Sequence, residues 1–198
     1  DPASVKSAMV GGIVMNNASG MNCGTHANSD KELLSAKIVL ADGTRLNTGD
    51  PESRTTFEKN HTPFLNKIIE IRDEIRNDNE LSDRIRKKYS IKNVTGLNLL
   101  PFVIYDDPFD IIAHLMVGSE GTLAFLSEVT MKTEHDYPYS ASAMLYFSNI
   151  KDACRAVVAM KPGPVFSAEL LDKKSLASVN DTTGTGLTAV LTETKADT

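Results

Sequence analysis

The chain has 198 residues, of which 41% are hydrophobic and 24% are charged, and its 21 Lys and Arg against 26 Asp and Glu give a net charge of −5. These values predict about one folded domain or slightly more, and they exclude a disordered, collagenous or coiled-coil protein. The acidic balance argues against a general nucleic-acid binder, and no apolar run reaches the roughly 18 residues that indicate a transmembrane helix.

The N-terminus and the two cysteines suggest whether the chain is part of a longer protein and in which compartment that parent protein lies. The sequence opens with Asp1-Pro2, without an initiator Met or a signal segment, and we expect a piece of a longer parent protein. Cys23 and Cys154 are too far apart to suggest a disulfide framework, which favours a reducing compartment. We therefore expect a cytoplasmic location, or a peripheral membrane location for the parent.

The first distinctive feature is a glycine-rich segment at residues 10–24, which begins Val-Gly-Gly-Ile-Val-Met-Asn-Asn-Ala-Ser-Gly. Glycine lets the backbone approach a ligand closely, consecutive N–H groups can bind an anion, and Asn and Ser side chains add hydrogen-bond donors. The segment matches neither the Gly-x-Gly-x-x-Gly motif nor the P-loop. These residues alone leave two interpretations, a ligand-binding loop and an ordinary turn.

A hairpin and two helices are predicted next. Two short β-type runs flank Asp42-Gly43 and predict a hairpin within residues 35–48. Thr62 as the N-cap and Pro63 in the first turn predict the start of a helix. A second helix is predicted over residues 79–89.

Charges are concentrated at residues 70–88, which contain six acidic and six basic residues. They can be interpreted as a patch for a nucleic acid or a protein partner, or as a solvated helical face. The balance of the charges favours the solvated face.

The middle of the chain predicts three further elements. Residues 93–105 are predicted to form a loop and a strand. Asp107-Pro108 predicts the cap of a helix that ends at Met116, and residues 122–132 predict a strand. Between these two elements lies a second glycine-bearing segment, Gly-Ser-Glu-Gly-Thr-Leu, to which the same two interpretations apply.

A polar stretch at residues 133–138 indicates a domain boundary. Beyond it, the pattern predicts strand, helix, strand, helix and strand at residues 141–147, 150–160, 165–171, 173–179 and 187–192. This alternation predicts a separate small α+β layer.

Together, these segments resemble one known family. Gly-Gly-Ile-Val-Met-Asn-Asn-Ala-Ser-Gly, a hairpin with Leu-Ala-Asp-Gly-Thr, and Val-Gly-Ser-Glu-Gly-Thr-Leu-Ala-Phe occur in the order and spacing of FAD-binding domains of the vanillyl-alcohol-oxidase (PCMH-type) superfamily. The pattern is most similar to the FAD-linked D-2-hydroxy-acid dehydrogenases of the D-lactate, glycolate and D-2-hydroxyglutarate type. The resemblance covers residues 2–133, and Glu-Leu-Leu-Asp at residues 169–172 is similar to the start of that family's substrate cap domain.

The resemblance implies an α+β fold in two parts. Residues 1–135 would form the second part of the FAD-binding domain, a PCMH-type subdomain with an antiparallel sheet flanked by helices. Residues 136–198 would form the incomplete N-terminal part of an α+β cap domain. The remainder of the parent chain would complete the cofactor cleft and supply the substrate-binding and metal-ligating histidines. The fragment alone would then be inactive and would lack FAD.

The resemblance also implies which residues contact FAD. The first segment would run along the pyrophosphate and the flavin edge, and the second segment would lie near the adenosine half. The matching positions are Pro2, Ser4, Gly11, Gly12, Asn16, Asn17, Ser19, Gly20, Gly24, Glu120, Gly121 and Phe125. Met9 and Ala124 stand where the family often has Thr and Gly. We assign no catalytic residue and no metal ligand within the chain.

The implied activity is the oxidation of a 2-hydroxy acid to a 2-oxo acid, in which a base takes the hydroxyl proton and a hydride passes from Cα to flavin N5. A small 2-hydroxy acid is the expected substrate, with no nucleic-acid partner and no electron acceptor assigned. One alternative is a non-catalytic module that binds a nucleotide or a partner. Another is a reductase of the cell-wall nucleotide pathway from the same superfamily, against which the cap signature argues.

Three further residues could carry chemistry. Cys23 and His26 have a Cys-x-x-His spacing that could provide two zinc ligands, or a covalent link to the flavin, but no second ligand pair lies nearby. His114 lies among apolar residues of a predicted helix, which favours a packed histidine over a catalytic one.

Overall fold

The computed structural model describes residues 2, 4–20, 23, 26–93, 96–135 and 137–178. The chain divides into two compact units, residues 1–134 and residues 135–198. The described elements of the first unit are α1 (Val10–Met15), α2 (Ser29–Glu32), β1 (Leu33–Val39), β2 (Arg45–Asn47), α3 (Pro51–Asn77), α4 (Asn79–Lys88), α5 (Leu100–Ile104), α6 (Pro108–Leu115) and β3 (Phe125–Met131). Those of the second unit are α7 (Ile150–Met160) and α8 (Lys173–Ser178).

The first unit is built on an antiparallel sheet in the order β2-β1-β3, which places β1 at its centre. The hairpin prediction is confirmed, because β1 pairs with β2 in antiparallel register around Asp42 and Gly43. Gly43 has a φ of +86°, a left-handed conformation that glycine adopts without strain. The Asp42 carboxylate accepts a hydrogen bond from the Thr44 N–H at 2.9 Å, which fixes the turn.

The core lies between one face of this sheet and the helices. Ala36 and Ile38 of β1 are buried and alternate with the exposed Lys37, as expected for a sheet with one buried face. Helix α6 contacts β1, and α3 contacts β2. The almost fully buried side chains include Val14, Ile38, Leu46, Ile111 and Val117. An antiparallel sheet covered by helices is the α+β fold that the resemblance implies.

The start of α3 differs from the prediction. The helix begins at Pro51, where the Asp50 carboxylate accepts hydrogen bonds at 3.3 Å from two N–H groups of the first turn, and not at Thr62. Thr62 and Pro63 follow a kink at His61, whose φ of −131° and ψ of 30° are not helical. Proline removes a backbone donor and crowds the preceding turn, so these two residues mark a kink within a helix and not its start.

The predicted strand within residues 93–105 is wrong, because Leu100–Ile104 form α5. The Asn98 side chain accepts a hydrogen bond from the Leu100 N–H at 2.9 Å, and the guanidinium of Arg76 in α3 donates to the Phe102 carbonyl at 2.9 Å. A short apolar run does not by itself distinguish a buried strand from a buried helix. The side-chain hydrogen bond from Asn98 ahead of the helix and the contact from α3 therefore favour the helical conformation here.

The other secondary-structure predictions for the first unit are confirmed. Helix α4 is capped by Asp78, whose carboxylate accepts from the Leu81 N–H at 2.9 Å. Helix α6 is capped by Asp107, whose carboxylate accepts from the Phe109 N–H at 2.9 Å. The strand predicted at residues 122–132 is β3.

The second unit has the predicted helices but not two of the predicted strands. Helices α7 and α8 confirm the predictions at residues 150–160 and 173–179, of which residue 179 lies outside the described residues. Residues 141–147 and 165–171 are not strands. A strand needs a hydrogen-bonded neighbour and a covered apolar face, yet Leu145 and Phe166 in these runs are 52% and 58% exposed. The strand predicted at residues 187–192 lies outside the described residues, and the assignment to a cap domain stays a prediction.

No helix among the described residues has both the length and the apolar character that crossing a bilayer requires.

We predict that Gly49→Ala destabilises the first unit. A Cβ on Gly49 would lie 2.7 Å from Ser35 Oγ and 2.8 Å from Ser35 Cβ, and the Cβ cannot rotate away. The free energy of unfolding should fall by about 1–3 kcal/mol, the usual cost of overpacking. Urea unfolding followed by circular dichroism measures it. Adding Ser35→Gly should recover part of the loss, and unchanged stability of Gly49→Ala alone would contradict the packing described here.

Candidate functional site

The first glycine-rich segment forms a short helix followed by a turn, where the sequence suggested a loop. Helix α1 ends at Met15, and the Asn17 N–H donates to the Val14 carbonyl at 2.9 Å while the Ala18 N–H donates to the Ile13 carbonyl at 2.8 Å. Asn17 has a φ of +47°. This hydrogen-bond pair with a left-handed residue is the Schellman motif, in which Asn is accepted in place of Gly.

The Asn17 side chain ties this turn to the rest of the unit. It is 5% exposed, its carbonyl oxygen accepts from the Asp30 N–H at 3.3 Å, and its amide donates to the Asn93 carbonyl at 3.3 Å. Asn17 therefore connects the segment to α2 and to the loop after α4. In this structure its side chain holds the segment in place.

The second glycine-bearing segment is a tight turn between α6 and β3. Gly118, Glu120 and Gly121 have φ values of +84°, +53° and +76°. A Cβ on Gly118 would lie 3.1 Å from the Gly96 carbonyl oxygen, so both its φ and its surroundings favour glycine. The buried Ser119 hydroxyl donates to the Met116 carbonyl at 2.8 Å and closes the turn.

The structure brings the two segments together. The Glu120 N–H donates to the Met15 carbonyl at 2.9 Å, and we call this hydrogen bond the segment junction. The Met15 sulfur lies 3.8 Å from the position that a Cβ on Gly121 would take, and a Cβ on Gly11 would lie 3.6 Å from the Leu126 carbonyl oxygen. Helix α1 therefore packs against the turn and against β3, although about 100 residues separate them in sequence.

Several predicted site residues in and around these segments are exposed. Gly12 is exposed, and a Cβ placed on it would meet no atom of the described residues within 4 Å. Asn16 and Glu120 are also exposed. The Ser19 hydroxyl is buried and, among the described residues, has no hydrogen-bond partner.

The remaining predicted residues are not joined to the junction by hydrogen bonds in the described part of the chain. Pro2 and Ser4 precede α1, and the Ser4 carbonyl accepts from the Ala8 N–H at 2.8 Å. The Gly20 carbonyl accepts from Cys23 Sγ at 3.0 Å. Phe125, at the start of β3, is 68% exposed. Gly24 lies outside the described residues.

The Cys23 thiol is buried and lies 3.1 Å from the Asn28 side-chain oxygen, whereas His26 is exposed. In the described ranges, no group of three or more His, Cys, Asp or Glu residues could hold a metal ion. The zinc interpretation of this pair therefore has no support among the described residues.

His114 is buried, as the sequence indicates for a packed histidine. Its Nδ1 lies 2.8 Å from the Asp110 carbonyl oxygen, and its Nε2 lies 3.0 Å from the Tyr105 hydroxyl. Burial lowers the pKa of His114, partly offset by the Asp110 carbonyl and carboxylate. Burial also raises the pKa of Asp110, which the negative charge of Asp107 reinforces.

A groove of about 410 Å³ lies elsewhere, between α4, α5 and the end of α3. Its lining residues include Arg76, Arg86, Asp83 and Asp106. Arg76 already pairs with the Asp106 carboxylate at 2.5 Å and donates to two carbonyls at the end of α5. This part of the charge-rich stretch at residues 70–88 therefore stabilises the fold, and the groove is separate from both glycine-bearing segments.

Two contact residues were not predicted. Met15 supplies the carbonyl of the segment junction, and Asp30 donates its N–H to Asn17 while its own Oδ1 is buried without a partner among the described residues. Met15 acts through its backbone carbonyl, so its side-chain type gives no indication of this contact. Asp30 lies just after Asn28-Ser29, a helix-cap pattern that locates α2 but not its contact with Asn17.

Comparison with known proteins gives one matching family and one matching relative, but no matching solved structure. A family described as "FAD binding domain" matches residues 1–49, which include the first glycine-rich segment. The D-lactate dehydrogenase [cytochrome], mitochondrial, of Arabidopsis thaliana is 33% identical over 79 residues, which cover 39% of this chain and 14% of that protein. The chain thus aligns with about one seventh of the length of that relative. No solved structure matches the chain.

The matches support an FAD-binding domain of the PCMH type, related to the D-2-hydroxy-acid dehydrogenases, with FAD as the cofactor. The described residues fit this cofactor. The open face at Gly12 leaves room for a ligand against the backbone, and the unpartnered Ser19 hydroxyl could donate to a phosphate or sugar oxygen. Within residues 4–20 the one charged side chain is Lys6, so no carboxylate there opposes a pyrophosphate.

We predict that Gly12→Leu weakens FAD binding by about tenfold or more, because the side chain would occupy the space beside the backbone. The measurement is the flavin absorbance per protein and an FAD titration of the apoprotein, produced from its complete coding sequence. Gly12→Ala should bind with intermediate affinity. Alanine is about 1 kcal/mol more favourable than glycine within a helix, so weaker binding in this variant would not reflect a weaker helix. Full FAD occupancy in Gly12→Leu would show that this face does not contact the cofactor.

We predict that His114 makes the first unit less stable at mildly acidic pH. Its folded pKa is lowered, whereas in the unfolded chain it is near the usual value of about 6.5, so below that pH the unfolded chain binds more protons. The free energy of unfolding should therefore fall as the pH drops from about 7.5 through 6.5 and level off below the folded pKa. Because the chain has no Trp, circular dichroism during urea unfolding is the measurement. His114→Gln should show a flatter profile, and identical slopes in both proteins would contradict the prediction.

Proposed function

We propose that the joined glycine-bearing segments form one wall of an FAD cleft in an oxidoreductase that converts a 2-hydroxy acid to a 2-oxo acid. The observation that carries the proposal is the segment junction. It brings together the first segment, which lies within the matched residues 1–49, and the second segment, which resembles the same FAD-binding pattern in sequence. Gly12 and Glu120 are both exposed. A single ligand can therefore contact both segments.

We assign the pyrophosphate to the first segment. The exposed backbone at Gly12 allows close approach, the neighbouring Asn16 amide is exposed, and no carboxylate lies within residues 4–20. The pyrophosphate of FAD carries two negative charges and loses hydrating water when it binds. Neutral hydrogen-bond donors suit such a desolvated group. Ser19 adds a hydroxyl that a phosphate or ribityl oxygen would satisfy.

We assign the adenosine half to the second segment. A carboxylate such as that of Glu120 accepts hydrogen bonds from ribose hydroxyls and repels phosphates, so it suits the sugar. The backbone N–H of Glu120 is already used in the segment junction, which fixes the residue while leaving its side chain exposed. The left-handed conformations at residues 118, 120 and 121 hold the turn in this orientation.

The redox chemistry would come from the cofactor. FAD, when bound, accepts the hydride equivalent from the substrate carbon. The chain's own residues would bind and orient it, and the base and the acid-binding groups would come from other parts of the complete protein. The relative named above supports a 2-hydroxy acid such as lactate as the substrate class.

We expect the protein made from its complete coding sequence to be yellow, and its flavin absorbance to bleach under anaerobic conditions with at least one of D-lactate, glycolate and D-2-hydroxyglutarate. Reduction of an artificial dye under turnover measures the same step. Bound flavin that stays oxidised with all three acids would contradict the substrate class. FAD binding without reduction by these or by a nicotinamide nucleotide would favour the non-catalytic module.

A further inference from the structure

His114 lies at the point where three elements of the first unit meet. Its ring is stacked on Tyr105, which links α5 to α6, with 4.2 Å between the ring centroids. A carbonyl oxygen can only accept a hydrogen bond, so the neutral ring must carry its proton on Nδ1, which faces the Asp110 carbonyl. Nε2 then accepts the hydrogen bond from the Tyr105 hydroxyl. The Leu33 carbonyl of β1 also lies close to the ring.

The charged groups around this histidine come from several elements. The ones that influence it directly are Asp110, on its own helix, and Asp30, on α2. One step further away, Arg54 of α3 pairs with Asp107 and lies over the Phe109 ring, 4.5 Å from its centroid. Both of these acidic groups oppose the effect of burial.

Successive backbone turns lead along the chain from His114 to the segment junction. Its own carbonyl accepts from the Val117 N–H at 3.2 Å. In the next step along the chain, the Met116 carbonyl accepts both the N–H and the hydroxyl of Ser119, at 3.2 and 2.8 Å. Glu120, the residue after Ser119, then donates the hydrogen bond of the segment junction to the Met15 carbonyl. The last turn of α6 therefore determines where the second segment meets α1.

We propose that His114 is a positioning residue for the segment junction, and that its protonation loosens the turn at residues 116–122 and lowers the affinity for FAD. This inference rests on the proposed function. A proton on Nε2 turns an acceptor into a donor, so the Tyr105 hydroxyl must turn its own hydrogen away. The new charge also lies in a buried position, and movement of the ring toward solvent would relieve that cost while displacing the end of α6.

The pH range follows from the environment of the ring. Burial lowers the pKa of His114, so the ring is neutral at pH 7.5. It takes up a proton only when the pH falls below the usual histidine pKa of about 6.5. FAD would bind the neutral form in preference. The linked loss of affinity is at most about tenfold per pH unit for a single proton.

The test is an FAD titration of the apoprotein, made from the complete coding sequence, between pH 7.5 and 5.5. We expect the Kd of the unmodified protein to rise by several-fold, up to about tenfold per pH unit. In His114→Gln this rise should be absent, whatever the Kd at pH 7.5, because the amide does not titrate. His61→Gln is the matched control, since His61 also stacks on an aromatic ring, at 4.6 Å from Phe57, but lies on α3. It should keep the unmodified profile.

Two further variants test the inference if His114→Gln folds poorly. Tyr105→Phe removes the hydroxyl that donates to Nε2 of the neutral ring and would accept from the protonated ring, so it should change the midpoint of the pH profile. Asp110→Asn keeps the backbone carbonyl that holds Nδ1 but removes a negative charge that favours the protonated ring, and it should shift the midpoint to lower pH.

The outcomes separate this inference from the proposed function. No FAD binding at any pH overturns both. FAD binding with the same pH profile in the unmodified protein and in all His114, Tyr105 and Asp110 variants overturns only the positioning role. A pH effect on unfolding without one on FAD affinity also overturns it, because His114 would then be purely structural.

Discussion

The site depends on one backbone hydrogen bond, from the Glu120 N–H to the Met15 carbonyl. It forms because three residues of one turn adopt left-handed conformations, which direct the chain from the end of α6 back toward α1. Two of the three are glycines, so the cost of this geometry falls mainly on Glu120. The turn thereby places the second segment against the C-terminal end of α1.

The rest of the first unit packs against the two glycine-bearing segments and supports them. Asn17 is buried and links the first segment to α2, and α6 is buried almost throughout between the sheet and α3. A Cβ on Gly12 would meet no atom within 4 Å in the described part of the chain. A rigid scaffold with an open backbone face is what a cofactor that brings its own chemistry requires, because the protein then needs to bind and orient it.

Much of the fold could be predicted from local signals. Asp42-Gly43 and the aspartate before α6 are followed by the elements they predict, because a cap or a tight turn is determined by neighbouring residues. The start of α3 was not predicted, since the Thr62-Pro63 signal marks a kink. The strand predicted where α5 forms and the strands predicted at residues 141–147 and 165–171 were also wrong, because apolar runs take their conformation from what packs on them. For the site, the sequence indicated both segments, but Met15 acts through its backbone and carries no sequence signal.

The most direct test of the site is a crystal structure of the complete protein with FAD. We predict that one FAD molecule lies within van der Waals distance, about 4 Å, of both Gly12 and Glu120, with its pyrophosphate beside α1. The hydrogen bond between Glu120 and Met15 should be present in that complex. An FAD molecule bound elsewhere, with neither glycine-bearing segment in contact with it, would contradict the proposed cleft.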